Sequence, residues 1–274
     1  MASCPSAPLN HDPHDEADFR FRTNGTACEW GESYHPGSYH YIRLGDSLHD
    51  RCRITRKLGY GCFSTVWLAA DTASKSFIAV KVTTADSPTE AINKSVAVYR
   101  ALPKTETPYA VGLYDVFEIL GPNGRHAYFA LEPMGPHLTD LLQDPARHAA
   151  WPPLLHVHGI VHGDLHLGNI LGNIQPLGKP SEGGARDQIL EQDASERVTL
   201  ERLNGKVDLW APAYLVEPAP LHDQVSFELD PVVRLADLGA AFFDGHPPKK
   251  VVTPVVLRAP EVILGVKRTR RTKQ

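Results

Sequence analysis

His158, His162 and His166 recur every four residues in the stretch HGIVHGDLHLGN, with Asp164 between the last two and Asn169 at the end. Two chemistries suit these residue types. On a helix, imidazoles at that spacing would share one face and could ligate a transition metal. Gly159, Gly163 and Gly168 interrupt the stretch, and each costs a helix interior about 1 kcal/mol. That speaks against the helix the metal site needs. The other chemistry is a loop that handles phosphate. A carboxylate such as Asp164 can orient a hydroxyl or take its proton, and the Asn169 oxygen can ligate Mg2+. A second carboxylate, Asp237, follows 73 residues later in LADLG, beside a turn glycine. His162 then reads as a brace for the loop, and His158 as a residue near its start.

A second group of residues suits an anion. LGYGCFSTVW holds Gly59, Gly61 and Ser64 in a G-x-G-x-x-S-x-V arrangement. Glycines let a hairpin tip approach phosphate closely, with backbone N–H groups facing it. The motif lies between two strand-like runs, not between a strand and a helix, which argues against a dinucleotide fold. Lys81 ends the apolar run IAVK some twenty residues on, where a point charge can hold phosphate oxygens.

The elements that must position these groups follow from periodicity. RITRKL, STVWLAA and FIAVKVT are short strands joined by tight turns. SPTEAINKSVAVYRAL predicts a helix with Ser87 as cap, Pro88 in the first turn and Glu90 at capping-box spacing. Its buried face would carry Ala91, Ile92, Val96, Val98, Tyr99 and Leu102. VGLYDVFEIL and HAYFALE flank GPNGR as a hairpin. HLTDLLQD is a short helix candidate, and VVRLADLGAAFF returns to a buried strand and turn. Strands, one helix, more strands and then a helical region make an α+β plan with two lobes. The expected division is a disordered arm over 1–33, a first lobe over 34–132, a partial second lobe over 133–265 with a polar insertion at 175–231, and a basic tail over 266–274.

Composition bounds the partners. The chain has 274 residues, 42% apolar and 22% charged, with a net charge of −4. That balance does not suit a general nucleic-acid binder. No apolar run approaches the ~20 residues that cross a bilayer. The polar, acidic start is not a secretory signal. Cys4, Cys28, Cys52 and Cys62 stand singly and read as free thiols. The expectation is a cytoplasmic or nuclear monomer that binds neither nucleic acid nor membrane.

Taken in order, the glycine-rich hairpin, Lys81, HGDLHLGN, ADLG and LRAPEVILG (with Ala259, Pro260 and Glu261) resemble the eukaryotic protein kinases. YHPGSYHYIRLGD, the Ser at the third glycine position, Leu after Asp237 and the spacer before ADLG are similar to fungal serine/arginine-rich protein kinases. The resemblance covers roughly 34–265. It implies a kinase-like fold in two lobes: an antiparallel sheet plus one helix, then an incomplete second lobe. It implies ATP and Mg2+ as cofactors. Leu58, Gly59, Gly61, Ser64, Val66, Ala79 and Lys81 would cover the nucleotide, with Glu132 and Met134 at the hinge. Asp164 would be the catalytic base, with Lys81 on the α/β-phosphates and Asn169 and Asp237 on Mg2+. The reaction would be γ-phosphoryl transfer to Ser or Thr of a protein, with Ser/Arg-rich segments as the candidate substrate.

Several positions depart from that pattern. Ser95 stands where the family has the helix glutamate. Gly163 replaces the loop arginine that receives a phosphorylated activation loop. His166 replaces the phosphate-binding lysine. Glu132 and Asp164 are 32 residues apart, where the family needs roughly a dozen more. Prolines in AAWPPLLHVHG stand where a long buried helix should run, and the later helices that receive substrate are not in the sequence. These departures suggest a truncated or mis-spliced copy. They also open two alternatives: a pseudokinase that at most binds nucleotide, and a small-molecule phosphotransferase of the aminoglycoside or choline kinase type, which lacks an APE element.

Overall fold

The computed structural model describes residues 13–22, 27–102, 110–141, 158–181, 190–192, 197–226, 233–246 and 248. Its largest element is a six-stranded antiparallel sheet of β1 (Ser47–Leu48), β2 (Cys52–Gly61), β3 (Ser64–Asp71), β4 (Ser76–Thr83), β5 (Leu113–Gly121) and β6 (Gly124–Leu131), in the order β1-β2-β3-β4-β6-β5. Helix α1 (Thr89–Ala101) follows β4, and α2 (Leu138–Leu141) follows β6. The other strands are short and pair in twos. β7 (Ile160–Val161) pairs with β12 (Phe242–Phe243), β8 (Ile170–Gly172) with β11 (Val233–Leu235), and β9 (Arg197–Thr199) with β10 (Tyr214–Val216).

The described residues fall into two compact units. The first draws on 1–87, 114–133 and 176–220, the second on 88–113, 134–175 and 221–274. In the first unit the sheet supplies the core. Trp67, Ile54, Ile78, Val80 and Tyr128 are buried together with Val216 from β10. β3 is buried along nearly its whole length, so it shows no in–out alternation, as a strand covered on both faces should. The indole N–H of Trp67 is satisfied by Thr65 Oγ1 at 3.0 Å. Truncating a side chain of this size in a filled core costs about 3–5 kcal/mol. The β5–β6 hairpin turns on Pro122 and Asn123, with Gly124 at φ +131°. Asn123 Nδ2 donates to the carbonyls of Tyr39 and Trp210.

One sequence expectation meets a different outcome here. Residues placed in a disordered arm are packed: Phe21 and Cys28 are buried in a second cluster with Tyr34, Tyr39, Leu200 and Leu215. Arg20 is ion-paired to Glu32 and Asp208, all three nearly buried. The later part of the polar insertion is tied to the sheet. Gln192 N–H donates to Thr55 O, Gln192 Oε1 accepts from Lys57 N–H, and Ala219 N–H donates to Lys57 O. Apolar residues spaced among many charges carried no period of their own, so neither stretch announced a core.

In the second unit, α1 begins at Pro88 without a side-chain cap. Ser87, expected as the cap, has its hydroxyl on Thr84 Oγ1 at 3.1 Å. The helix buries Ser95, Val98 and Tyr99, while Ala91, expected on that face, is exposed. Helix α1 packs on the short 3-10 turn Leu238–Ala240.

Candidate active site

The first unit carries the glycine-rich turn. β2 and β3 pair as Gly61↔Ser64, Tyr60↔Thr65 and Gly59↔Val66, with Cys62 and Phe63 at the tip. The tip is tied down from both sides. Tyr39 donates its hydroxyl to Gly61 O at 2.8 Å, and Thr84 N–H donates to Phe63 O at 3.0 Å. Neither Gly59 nor Gly61 has a positive φ, and a Cβ at either would meet nothing within 4 Å. Nothing in the fold therefore requires glycine there. Open space along the backbone is what the close approach of an outside anion would require.

Register sets the next residues beside that turn. Gly59 faces Val66, Val66 faces Lys81, and Lys81 faces Phe129. Directly opposed residues point to one face, so Val66 and Lys81 are neighbours on it. Ala79, two residues before Lys81 and paired with Leu68 and Leu131, shares that face by the two-residue period. Leu58, Lys81 and Val66 are half-buried, Ser64 and Ala79 buried. Glu132 and Pro133 are half-buried at the end of the first unit, and Met134 is buried at the start of the next stretch of the second.

The second unit carries the two carboxylates and the asparagine. The loop 162–169 runs from β7 to β8, and the loop 236–241 from β11 to β12. Because β7 pairs with β12 and β8 with β11, strand pairs hold both loops at both ends. Between them, His162 Nε2 donates to Ala236 O at 2.9 Å, and Ala236 N–H donates to Asn169 O at 2.8 Å. Burial holds the His162 imidazole below its ordinary value, so it is neutral at pH 7 and braces as Nε2–H. Its Nδ1 accepts from Asp164 N–H at 3.4 Å. These contacts commit both nitrogens of His162 to backbone, not to a metal.

Asn169 Nδ2 donates to Asp164 O at 2.9 Å. That bond turns the amide so that Oδ1 is the atom left for a cation. Asp164 Oδ1 is buried and has no hydrogen-bond partner among the described residues. Asp237 adopts a left-handed conformation (φ 54°, ψ 68°), and its side chain accepts from Gly239 N–H. Oxygen donors from one amide and one carboxylate suit a hard cation such as Mg2+, so the residues present fit the metal that the resemblance implies.

Two residues with a role here were not singled out from the sequence as site residues. Gly163 has φ +79°, and a Cβ on it would sit 2.4 Å from Ala240 O. Glycine is thus required where the family has arginine, and its positive φ has no sequence signature beyond the residue itself. Tyr99 of α1 is buried close to Asp237; burial first, and then that charge, push its phenol well up, while Leu238 N–H donates to it. Ser95, at the position of the family's helix glutamate, is buried and donates its hydroxyl to Ala91 O at 2.9 Å. Ala259, Pro260 and Glu261, the proline-rich approach to the loop before His158, and the basic tail lie outside the described residues.

No family model matches the chain. Curated proteins do. It is 30% identical over 268 residues to "Serine/threonine-protein kinase SRPK" of Physarum polycephalum, an alignment covering 87% of this chain and 61% of that protein. It is 32% identical to "Protein kinase dsk1" of Schizosaccharomyces pombe, over 52% of this chain and 30% of that one. It is 38% identical to human "SRSF protein kinase 3", over 39% and 20%. The chain thus spans less than two thirds of these relatives. Among solved structures, a crystallised kinase domain superposes with a TM-score of 0.56 at 19% identity, over 85% of this chain and 64% of that one. The glycine-rich hairpin, Lys81 and the two clamped loops therefore lie on a protein-kinase fold, and the chain is a homologue of the serine/arginine-rich-protein kinases.

Proposed function

We propose that the chain is a protein serine/threonine kinase, with Ser/Arg-rich protein segments as the substrate class. The observation that carries this reading is the pair of loops in the second unit, where Asp164, Asn169 and Asp237 are held by strand pairs and by the Ala236 backbone. Bound Mg2+·ATP supplies the phosphoryl group and the charge neutralisation. Asn169 and Asp237 offer oxygens to the metal. Lys81 holds the α/β-phosphates, and the backbone at Gly59 and Gly61 covers the phosphates. Leu58, Ser64, Val66, Ala79, Glu132 and Met134 complete the nucleotide side. Asp164 orients the Ser or Thr hydroxyl. In-line attack forms the new P–O bond and breaks the bond to the ADP oxygen, and the hydroxyl proton passes to the Asp164 carboxylate. In this reading the protein works as a monomer in the cytoplasm or nucleus.

A second reading is a homologue that binds nucleotide without turnover. The uncharged Ser95, its hydroxyl spent on Ala91 O, favours it. Radiolabelled ATP transfer to a Ser/Arg-repeat peptide, with Asp164→Ala as control, tests the first reading. Label above the control supports the kinase. Thermal stabilisation by Mg2+·ATP without transfer leaves the second. No measurable Mg2+·ATP binding overturns both.

A further inference from the structure

Resting on the kinase reading, we propose that His166 is a positioning residue for Asp164 and Asn169, not a substitute phosphate ligand. A lysine, the family's residue here, carries only donors. An imidazole is donor and acceptor at once, and in this loop both nitrogens have inward tasks. Nδ1 accepts the Gly168 N–H at 3.1 Å, so that nitrogen carries no proton. The proton is then on Nε2. Nε2 lies 3.7 Å from Asp164 Oδ2, beyond hydrogen-bond length but close enough for the N–H dipole to favour the carboxylate. The Oδ2 side of Asp164 is thereby turned to the ring. Oδ1 is buried and without a partner among the described residues, so the ring lies by the other carboxylate oxygen of a side chain that is 25% exposed.

The same residue fixes Asn169. His166 is the N-cap of the 3-10 turn Leu167–Asn169, its ring accepting from Gly168. Its carbonyl accepts the Asn169 N–H at 2.9 Å. The Asn169 side chain then returns to Asp164 O at 2.9 Å. Asp164, His166 and Asn169 thus close a small ring of contacts, the imidazole facing Asp164 and capping Gly168, and the His166 carbonyl holding Asn169. A lysine has no lone pair for the Gly168 N–H. An asparagine has one, since its side-chain oxygen accepts from the N–H two residues on in an Asx turn.

Three variants separate the roles: His166→Ala removes cap and dipole, His166→Lys restores the family's charge without a cap, and His166→Asn keeps the cap. The first measurement is amide hydrogen exchange at Gly168 and Asn169 without nucleotide, each variant first shown to melt cooperatively. Exchange should accelerate at least about tenfold in His166→Ala and His166→Lys and stay near wild type in His166→Asn. The second is ATP affinity by calorimetry, with and without Mg2+. His166→Ala and His166→Lys should lose about tenfold or more of the Mg2+-dependent affinity, as outer-shell partners do, and His166→Asn should recover it. If the chain phosphorylates peptide, kcat should fall in the same two variants with the peptide KM unchanged.

Unchanged exchange in His166→Ala overturns the proposal, and so does His166→Lys matching wild type in Mg2+-dependent affinity. A wild-type chain that binds no Mg2+·ATP is a separate result. It removes the kinase reading, while the exchange measurement still decides the geometry.

Discussion

Lys57 and Glu29 form an ion pair whose side chains are 0% and 2% exposed. The lysine lies on β2, two residues before Gly59, and also donates to Val216 O at 2.9 Å. The rings of Tyr60 and Trp67 lie 5.4 and 5.5 Å from its ammonium. Tyr34 donates its hydroxyl to the other Glu29 oxygen. Three distant stretches of chain therefore meet at one buried charge. Removing one partner of such a pair strands the other, at a cost of about 3–5 kcal/mol. Glu29→Gln should lower stability by that amount in urea unfolding. The double variant Glu29→Gln, Lys57→Met should lose less than the two single losses together. A Glu29→Gln within about 1 kcal/mol of wild type would mean that water reaches the ammonium.

Gly59→Ala and Gly61→Ala should leave the fold alone and weaken nucleotide binding. A methyl at either position meets nothing within 4 Å and needs no strained φ. Replacing glycine at such a position changes stability by no more than about 1 kcal/mol, in the favourable direction. Thermal melts of the variants should match or exceed wild type, while ATP affinity falls. A melt lowered by several degrees, or unchanged affinity, goes against the ligand as the reason for these glycines.

Gly163→Ala should destabilise more than Gly178→Ala. Both glycines have φ near +80°, but only at Gly163 does a Cβ meet a neighbour, the Ala240 carbonyl at 2.4 Å. The shared backbone strain costs about 1–2 kcal/mol. The excess at Gly163 reports the contact between the two loops. Equal losses in urea unfolding would show that the loops part freely.

Stability should fall between about pH 6.5 and pH 4 through His40. Burial first, and then neighbouring His126, lower the His40 pKa to about 4. The rings of His126, Tyr128 and Tyr41 surround it at 4.8, 6.0 and 5.9 Å. The unfolded chain takes up this proton near pH 6.5 and the folded one only near 4. The contribution is therefore whole above pH 6.5 and is lost as pH drops through the folded value, a loss on the order of 3 kcal/mol. His126 is also lowered, by burial, and acts in the same direction. Unfolding midpoints from pH 7 to 4 should slope less in His40→Gln. Parallel slopes would exclude His40 as the source.

The sheet, the hairpins and the position of α1 could all be read from the sequence, because β3, β4 and β6 keep apolar runs bounded by turn residues. Lys81, Asp164, Asn169 and Asp237 stand out in the sequence as candidates by type and spacing. What stayed hidden depends on contacts between residues far apart in sequence. Arg20 finds Asp208 across 188 residues, and Gln192 finds Lys57 across 135. A polar residue in a charged stretch looks the same whether water or a strand edge satisfies it. His166 is a milder case. Its place in the motif was legible, but the direction of its ring depends on the Gly168 N–H, which no side-chain pattern reveals.

The make-up of the first unit bears on how the protein is born. Its sheet core takes Ile54, Trp67 and Val80 from early in the chain and Val216 from far later. Between the end of β4 at Thr83 and Val216 the ribosome must add 133 residues. At ~5–20 residues per second that takes on the order of ten seconds. Throughout that interval β2, β3 and β4 are outside or leaving the exit tunnel, with Lys57 lacking the Val216 carbonyl it will bond. The nascent sheet is then an apolar surface waiting for its last piece, and a chaperone acting on this chain would find its longest opportunity there.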